Sequence, residues 1–189
     1  MGVTLSEEQL DQFEIYFHEL ADWNQRANLT AITGYEDVQV KHFLDSLTIC
    51  LTAREYLAGP VRVMDVGAGA GLPGLALKLA FPEIKLALLE SVKKKSAFLH
   101  HIVDELGLED VSVYTGRAED LAREKDLPDG GSFFVSKIPF RAAACPESQP
   151  PGDNAWASAP FFPPRLLSGR RSAPRSAPWT LVLSARPVP

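Results

Sequence analysis

The sequence predicts an α/β chain in which a small helical lobe precedes the first half of a doubly wound parallel sheet. Three observations predict it. Apolar residues recur at helical spacing before residue 58, and short strand-like runs, the first of them β-branched, alternate with helical stretches from Val61 to Tyr114. A glycine-rich turn, Gly67 to Gly74, stands where the first strand gives way to a helix. With 189 residues, 46% of them hydrophobic, the chain is long enough to bury one sizeable core and short for two domains.

The first element opens on Ser6-Glu7-Glu8-Gln9, in which Ser6 and Gln9 can satisfy each other's backbone donors as a capping box. Leu10, Phe13, Phe17 and Leu20 come next at steps of three and four, one apolar stripe on a helix. A polar turn spans Asn24 to Asn28. A second helical stretch runs from about Glu36 to Leu51, with Val40, Phe43, Leu44 and Leu47 on one side. Residues 1–58 form the helical lobe.

At Val61 the period changes. Val61 to Val66 has the length and β-branching of a buried parallel strand. After the glycine turn, Pro73 suits the first turn of a helix that ends near Phe81-Pro82. Ile84 to Leu89 is the next strand, closed by Glu90. Ser91 is placed to cap the helix through Lys93, Phe98 and Val103, which stops at Gly107. Val111 to Tyr114 is a third strand, followed by Thr115 to Asp120. Residues 59–131 thus hold β-α-β-α-β, half of a doubly wound sheet.

Beyond residue 131 the composition breaks. Eleven of the 15 prolines lie there but only two acids, Glu147 and Asp153, so the formal charge is −10 before the break and +5 after it. Residues 132–189 show no helical or strand period. They read either as a disordered Pro/Ala/Ser/Arg linker or phosphate-binding arm, in which Arg170-Arg171 would hold RNA loosely, or as translation from another frame of a GC-rich gene, the frame change being preferred. On that reading the sheet is incomplete at its C-terminal side, with one strand edge unpaired.

Other classes are excluded by composition. A net charge of −5 argues against a wholly basic nucleic-acid coat protein. Cys50 and Cys145 stand far apart without a CxxC, which excludes a disulfide framework and a zinc ribbon. The chain has no apolar run of membrane-spanning length, and its start lacks a secretory pattern, so a cytoplasmic location is expected.

A glycine-rich turn between strand and helix lets a ligand approach bare backbone at a helix N-terminus. It carries no Walker lysine, so nucleoside triphosphate hydrolysis is not expected. Two registers remain. Gly69-x-Gly71-x-x-Gly74 with Glu90 about 20 residues on matches a dinucleotide fingerprint, the reading of an NAD(P)-binding oxidoreductase. Asp65-x-Gly67-x-Gly69-x-Gly71 suits S-adenosylmethionine, whose amino acid and sulfonium welcome a nearby carboxylate. In either register Glu90 would accept both ribose hydroxyl hydrogens. Ala118-Glu119 after the third strand would border the adenine, or else open a capped surface helix.

Five motifs then stand in one order: Trp23-Asn24-x-x-x-Asn28-Leu29-Thr30-Ala31-Ile32; His42-Phe43-Leu44-Asp45-Ser46-Leu47; Asp65 through Gly74; Leu89-Glu90-Ser91; and Gly116-Arg117-Ala118-Glu119. In this they resemble the RsmG (GidB) family of bacterial small-subunit ribosomal RNA methyltransferases, over roughly residues 5–131. The resemblance implies a class I, Rossmann-like, S-adenosylmethionine-dependent methyltransferase fold. It implies methylation of N7 of one guanine in 16S rRNA of the small ribosomal subunit. By position it implies cofactor contacts at Gly67, Leu72, Glu90, Ser91, Ala118 and Glu119, to which the acid-led glycine register adds Asp65, Gly69 and Gly71. Such proteins continue with a fourth strand carrying Phe-Asp, where this chain has Ser132 to Lys137 and the resemblance stops. The remaining alternative is an inactive fragment with only binding ability.

Guanine N7 carries a lone pair and no proton, so its attack on a methyl needs no general base. No catalytic base, and no other catalytic side chain, is therefore expected, and the work is orientation. No metal and no membrane are expected as partners. Lys93-Lys94-Lys95 reads equally as a phosphate contact or a solvated helix face. His100 and His101 read as packing or surface residues, while His42 lies within a quoted motif.

Overall fold

The computed structural model describes residues 3–57 and 59–121 together with two short strands, Phe133–Val135 and Val182–Leu183. Helix α1 (Glu7–Ala27) begins with both bonds of the expected capping box: Gln9 N–H donates to Ser6 Oγ at 3.2 Å, and Ser6 N–H to Gln9 Oε1 at 2.8 Å. It ends at Asn28 in the left-handed region, φ 50°, where Asn is among the few side-chain-bearing residues tolerated. Its buried face is Phe13, Tyr16 and Leu20, whereas Leu10 is 53% exposed. The expected stripe thus loses Leu10 and gains a tyrosine, because the face of α1 that meets the core is turned toward Gln9, Phe13, Tyr16 and Leu20, with Gln9 reaching Leu79 O.

The second helical region runs further and less regularly than expected. It comprises α2 (Tyr35–Val38), a turn of wider π-helical winding over Gln39–Leu44, α3 (Asp45–Leu47), and α4 (Cys50–Leu57). The wider turn moves Phe43 away from Val40 and Leu44. Phe43 and Leu47 are buried, while Val40 and Leu44 are exposed, which corrects the expected single side.

Strands β1 (Arg62–Val66), β2 (Lys85–Glu90) and β3 (Val111–Thr115) pair in parallel, with Val66 opposite Leu89 and Glu90 opposite Thr115. Between them lie α5 (Gly74–Ala80) and α6 (Lys93–Glu105), and α7 (Ala118–Leu121) comes after β3. Alternation along the strands splits two faces. Val63, Leu86 and Leu88 join Phe13, Tyr16 and Leu20 of α1, Leu75, Leu77 and Leu79 of α5, and Phe98, Leu99 and Ile102 of α6 in one core. Met64, Ala87 and Leu89 lie on the other face with Tyr114, Ala118 and Leu121.

Helix α6 is not capped by Ser91. Val92 occupies the cap position without a side-chain bond, and its N–H donates to Glu90 Oε1 at 2.7 Å. The carboxylate one residue earlier meets that donor, leaving Ser91 exposed. Gly107 ends the helix as expected, at φ 59°, with Leu108 N–H returning to Val103 O at 3.0 Å.

Two further strands belong to the sheet. β4 (Phe133–Val135) lies parallel to β1, pairing Val63 with Phe133 and Asp65 with Val135, and β5 (Val182–Leu183) runs antiparallel to β4. The sheet order is β3-β2-β1-β4-β5. The outer edge of β1 is therefore paired rather than bare, because Phe133–Val135 supplies the short β-prone run that a fourth strand needs. The added strands are only three and two residues long, so the architecture is an incomplete Rossmann-like α/β fold. The rest of the expected tail, residues 132, 136–181 and 184–189, lies outside the described residues.

Candidate functional site

The chain leaves β1 on one side for β2 and β3 and returns on the other for β4, so the strand order reverses beside β1. In open α/β sheets the carboxyl ends of the strands at that reversal form the ligand crevice. Here those ends carry Gly67 to Gly74, Glu90 to Val92, and Gly116 to Ala118.

The bend starts as a continuation of the sheet, with Gly67 and Ala68 N–H both donating to Leu89 O at 2.8 and 3.0 Å. It then closes on Ala68 O, which accepts from Gly71 at 2.7 Å and Leu72 at 3.2 Å. Gly67, Gly69 and Gly71 all have positive φ, 74°, 58° and 87°, a run that side-chain-bearing residues adopt only with strain. The space around the glycines differs. A Cβ on Gly69 would meet nothing closer than Gly67 O at 3.8 Å, so the bend is open there. One on Gly74 would stand 2.8 Å from Asp65 Oδ2, because α5 packs its backbone directly on β1.

Glu90 faces this bend and is 6% exposed. Its Oε2 accepts Gly69 N–H at 2.8 Å and its Oε1 accepts Val92 N–H, so one carboxylate ties the glycine bend to the start of α6. Its own carbonyl accepts Gly116 N–H at 3.0 Å, which brings the third strand end alongside.

Asp65 lies behind the bend and is fully buried. Its Oδ2 accepts Gly74 N–H at 2.8 Å and its Oδ1 has no partner among the described residues. Burial pushes its pKa up to about 7, the Gly74 bond opposes the rise, and the Glu90 charge adds to it.

The nine residues singled out from sequence therefore separate by depth. At the crevice Gly69 is bonded to the Glu90 carboxylate and Gly67 to the Leu89 carbonyl, with Ser91 exposed beside them. Leu72 is 5% exposed and belongs to the main core, so anything it offers a ligand is backbone. Gly71 is the buried part of the bend, against Leu75 and Tyr16, and Asp65 lies behind it. Ala118 packs on Met64, Ala87 and Leu89 at the start of α7, and Glu119 comes next with its backbone alone described. Sequence reasoning missed Tyr16, whose hydroxyl donates to Ala70 O in the bend at 2.5 Å from 54 residues upstream. The only signal was a polar-tipped aromatic on the buried face of α1.

His42 is buried and bonded to Thr30 Oγ1 at 2.8 Å, His100 is exposed, and His101 meets Glu19 across α1 and α6 at 2.5 Å. Lys93 and Lys94 are exposed on the first turn of α6. Cys145, Arg170 and Arg171 lie outside the described residues. Among the described residues no His, Cys, Asp and Glu group is placed to hold a metal ion, and no helix is long and apolar enough to cross a membrane.

Residues 9–129 match the family model for rRNA small subunit methyltransferase G, GidB. The chain belongs to the ribosomal RNA small subunit methyltransferase G family. Relatives carry that name: one from Dehalococcoides mccartyi (strain ATCC BAA-2100) is 51% identical over 123 residues, covering 65% of this chain and 51% of its own. One from Halalkalibacterium halodurans is 46% identical over 148 residues, covering 76% and 61%. A third, from Geobacillus thermodenitrificans, is 38% identical over 177 residues, covering 90% and 73%. The family model ends close to where the motif resemblance stops, but the Geobacillus match covers too much of the chain to end there and takes in part of the sequence beyond residue 131. The chain spans about half the length of the Dehalococcoides relative. Among solved structures, a SAM dependent methyltransferase from Aquifex aeolicus is similar with a TM-score of 0.39 at 18% identity, covering 58% of this chain and 72% of that one. A nicotinamide oxidoreductase finds no support in this family.

Proposed function

We propose that this chain is the donor-binding part of an S-adenosylmethionine-dependent methyltransferase acting on N7 of a guanine in 16S rRNA of the small ribosomal subunit. The observation that carries the reading is Glu90 held against the open side of the glycine bend, Oε2 to Gly69 N–H at 2.8 Å, in a chain of this family.

The residues present fit the donor. Each Glu90 oxygen accepts one backbone N–H, and a carboxylate offers about four acceptor sites, which leaves room for the two hydroxyls of a ribose. The open flank of Gly69 admits the amino-acid end to bare backbone. When bound, this group supplies an electrophilic methyl. Glu90 would orient the ribose, the bend would hold the amino-acid end, and Ala118 with Glu119 would border the base. Guanine N7 needs no proton removed, so the chain's task is alignment of two substrates. The exposed Lys93 and Lys94 beside Glu90 suit RNA phosphates. A ribosomal substrate places the work in the bacterial cytoplasm.

Calorimetric titration of the full chain with S-adenosylhomocysteine and with NADH tests the donor: heat from the first alone is expected, and heat from NADH alone would overturn the reading. The acceptor is tested in a strain whose one gene of this family encodes this chain. N7-methylguanine in its 16S rRNA is the expected result, and unmodified rRNA would leave the chain an inactive binder. The nucleotide sequence around codons 125–140 tests the proposed frame change: one inserted or deleted base restoring a Phe-Asp strand is expected.

A further inference from the structure

Tyr16 is fully buried in the middle of α1, its ring 5.1 Å from that of Phe43 and 6.5 Å from that of Phe98. Four side chains on one face of α1 make polar contacts to the sheet half. Gln9 Nε2 donates to Leu79 O at 2.7 Å, at the end of α5, and Gln12 Nε2 to Leu106 O at 3.3 Å, at the end of α6. Glu19 pairs with His101 of α6. These three dock α1 onto helices. Tyr16 alone of the four lands inside the glycine bend, on Ala70 O. Its hydroxyl also stands 2.9 Å from where a Gly71 Cβ would be, so together with Leu75, whose Cδ1 is nearer at 2.3 Å, it fills the hollow that the glycine leaves.

A bend with three glycines in left-handed conformations is costly to order, since glycine loses more backbone freedom than any other residue. A donor held rigidly by two aromatic rings fixes the middle of that bend in advance of any ligand. Burial and the nearby Asp65 keep the phenol pKa well above its usual value, so it remains a donor across the physiological range.

We infer that Tyr16 is a positioning residue for the bend: by holding the Ala70 carbonyl it keeps Gly69 facing Glu90, and so sets affinity for the donor without touching it. The affinity part of this inference rests on the cofactor reading above; the bend-holding part does not.

The test uses the full chain as wild type, Tyr16→Phe and Gln12→Ala, with two measurements. Calorimetry gives the Kd for S-adenosylhomocysteine, and hydrogen exchange tracks peptides covering residues 67–72 and β2. Tyr16→Phe keeps the ring and is expected to weaken binding about five- to tenfold, the worth of one buried hydrogen bond. It is expected to speed exchange in the bend and leave β2 at the wild-type rate. Gln12→Ala removes a docking bond of α1 and is expected to change neither. Wild-type exchange in Tyr16→Phe would overturn the inference, as would equal losses in Gln12→Ala. A Tyr16→Phe chain without a cooperative melt would make Tyr16 a core residue and overturn it too. If the wild type does not bind S-adenosylhomocysteine, the cofactor reading fails, while the exchange contrast still decides whether Tyr16 holds the bend.

Discussion

Glu90 and Gly69 are joined at 2.8 Å across 21 residues of chain, the carboxylate on the last residue of β2 and the amide in the bend after β1. The other oxygen of the same carboxylate holds Val92 N–H, so both acceptors are engaged by backbone donors. Glu90→Gln keeps the shape but turns one acceptor into a donor, which faces a backbone N–H. The expected loss of stability is about 1–3 kcal/mol, the cost of leaving a buried donor unmet. Urea unfolding measures it. Affinity for S-adenosylhomocysteine should fall further than in Tyr16→Phe, because Glu90 would meet the ligand itself.

Asp65 makes stability depend on pH. Its pKa stands near 7 in the folded chain against an ordinary value of 3.8, burial being the main cause. The folded state therefore binds more protons than the unfolded state between those values, and stability falls as pH rises from about 4 to about 7. Between pH 5 and 7 the expected loss from this one group is of the order of 2–3 kcal/mol. Asp65→Asn keeps an acceptor for Gly74 N–H and has no proton to lose, so that part of the slope should vanish. Urea midpoints at pH 5, 6, 7 and 8 for both chains decide the matter. A parallel slope in Asp65→Asn would assign the pH dependence elsewhere.

Lys78 is buried at the far end of α5 from the glycine bend. Its ammonium donates to Pro82 O at 2.6 Å and Ile84 O at 2.7 Å, closing the turn into β2. Burial lowers its pKa, and those two carbonyls are what it gains in return for losing water. Lys78→Met preserves the stem but leaves both carbonyls unmet, with an expected loss of about 1–3 kcal/mol. Affinity for S-adenosylhomocysteine, measured below the melting transition, should not change, since nothing at the crevice touches Lys78.

The sheet was legible because parallel strands buried on both faces are short and apolar, as Val61 to Val66, with its three valines, and Ile84 to Leu89 are. The site was legible where backbone conformation demands a residue type, as at Gly67, Gly69 and Gly71. The features that escaped depend on distant partners. Tyr16 bonds a carbonyl 54 residues away, and apolar counting along α1 favours Leu10 over it. The widened turn over Gln39–Leu44 leaves no compositional mark, so helical spacing alone puts Val40 inward. Glu90 displaces Ser91 as the group that meets α6 because a carboxylate can reach Val92 N–H from the strand end. β4 is obscured by the proline-rich sequence around it, although Phe133-Phe134-Val135 is itself a fair strand.

Two glycines with left-handed backbones separate conformational strain from crowding. Gly107 has φ 59° and nothing within 4 Å of a Cβ, so Gly107→Ala meets only the backbone penalty, about 1–2 kcal/mol. Gly71 has φ 87°, and a Cβ there would lie 2.3 Å from Leu75 Cδ1 and 2.9 Å from both Leu75 Cγ and Tyr16 Oη. Leu75 is fully buried and cannot swing away without disturbing the core, so crowding adds roughly 1–3 kcal/mol to the backbone penalty. Gly71→Ala is therefore expected to be clearly less stable than Gly107→Ala in urea unfolding. It should also weaken S-adenosylhomocysteine binding, because relief of the clash pushes the bend away from Tyr16. Gly107→Ala should bind as the wild type does. Equal stability losses in the two variants would mean that Leu75 and Tyr16 yield easily, and that the bend is held less firmly than its geometry implies.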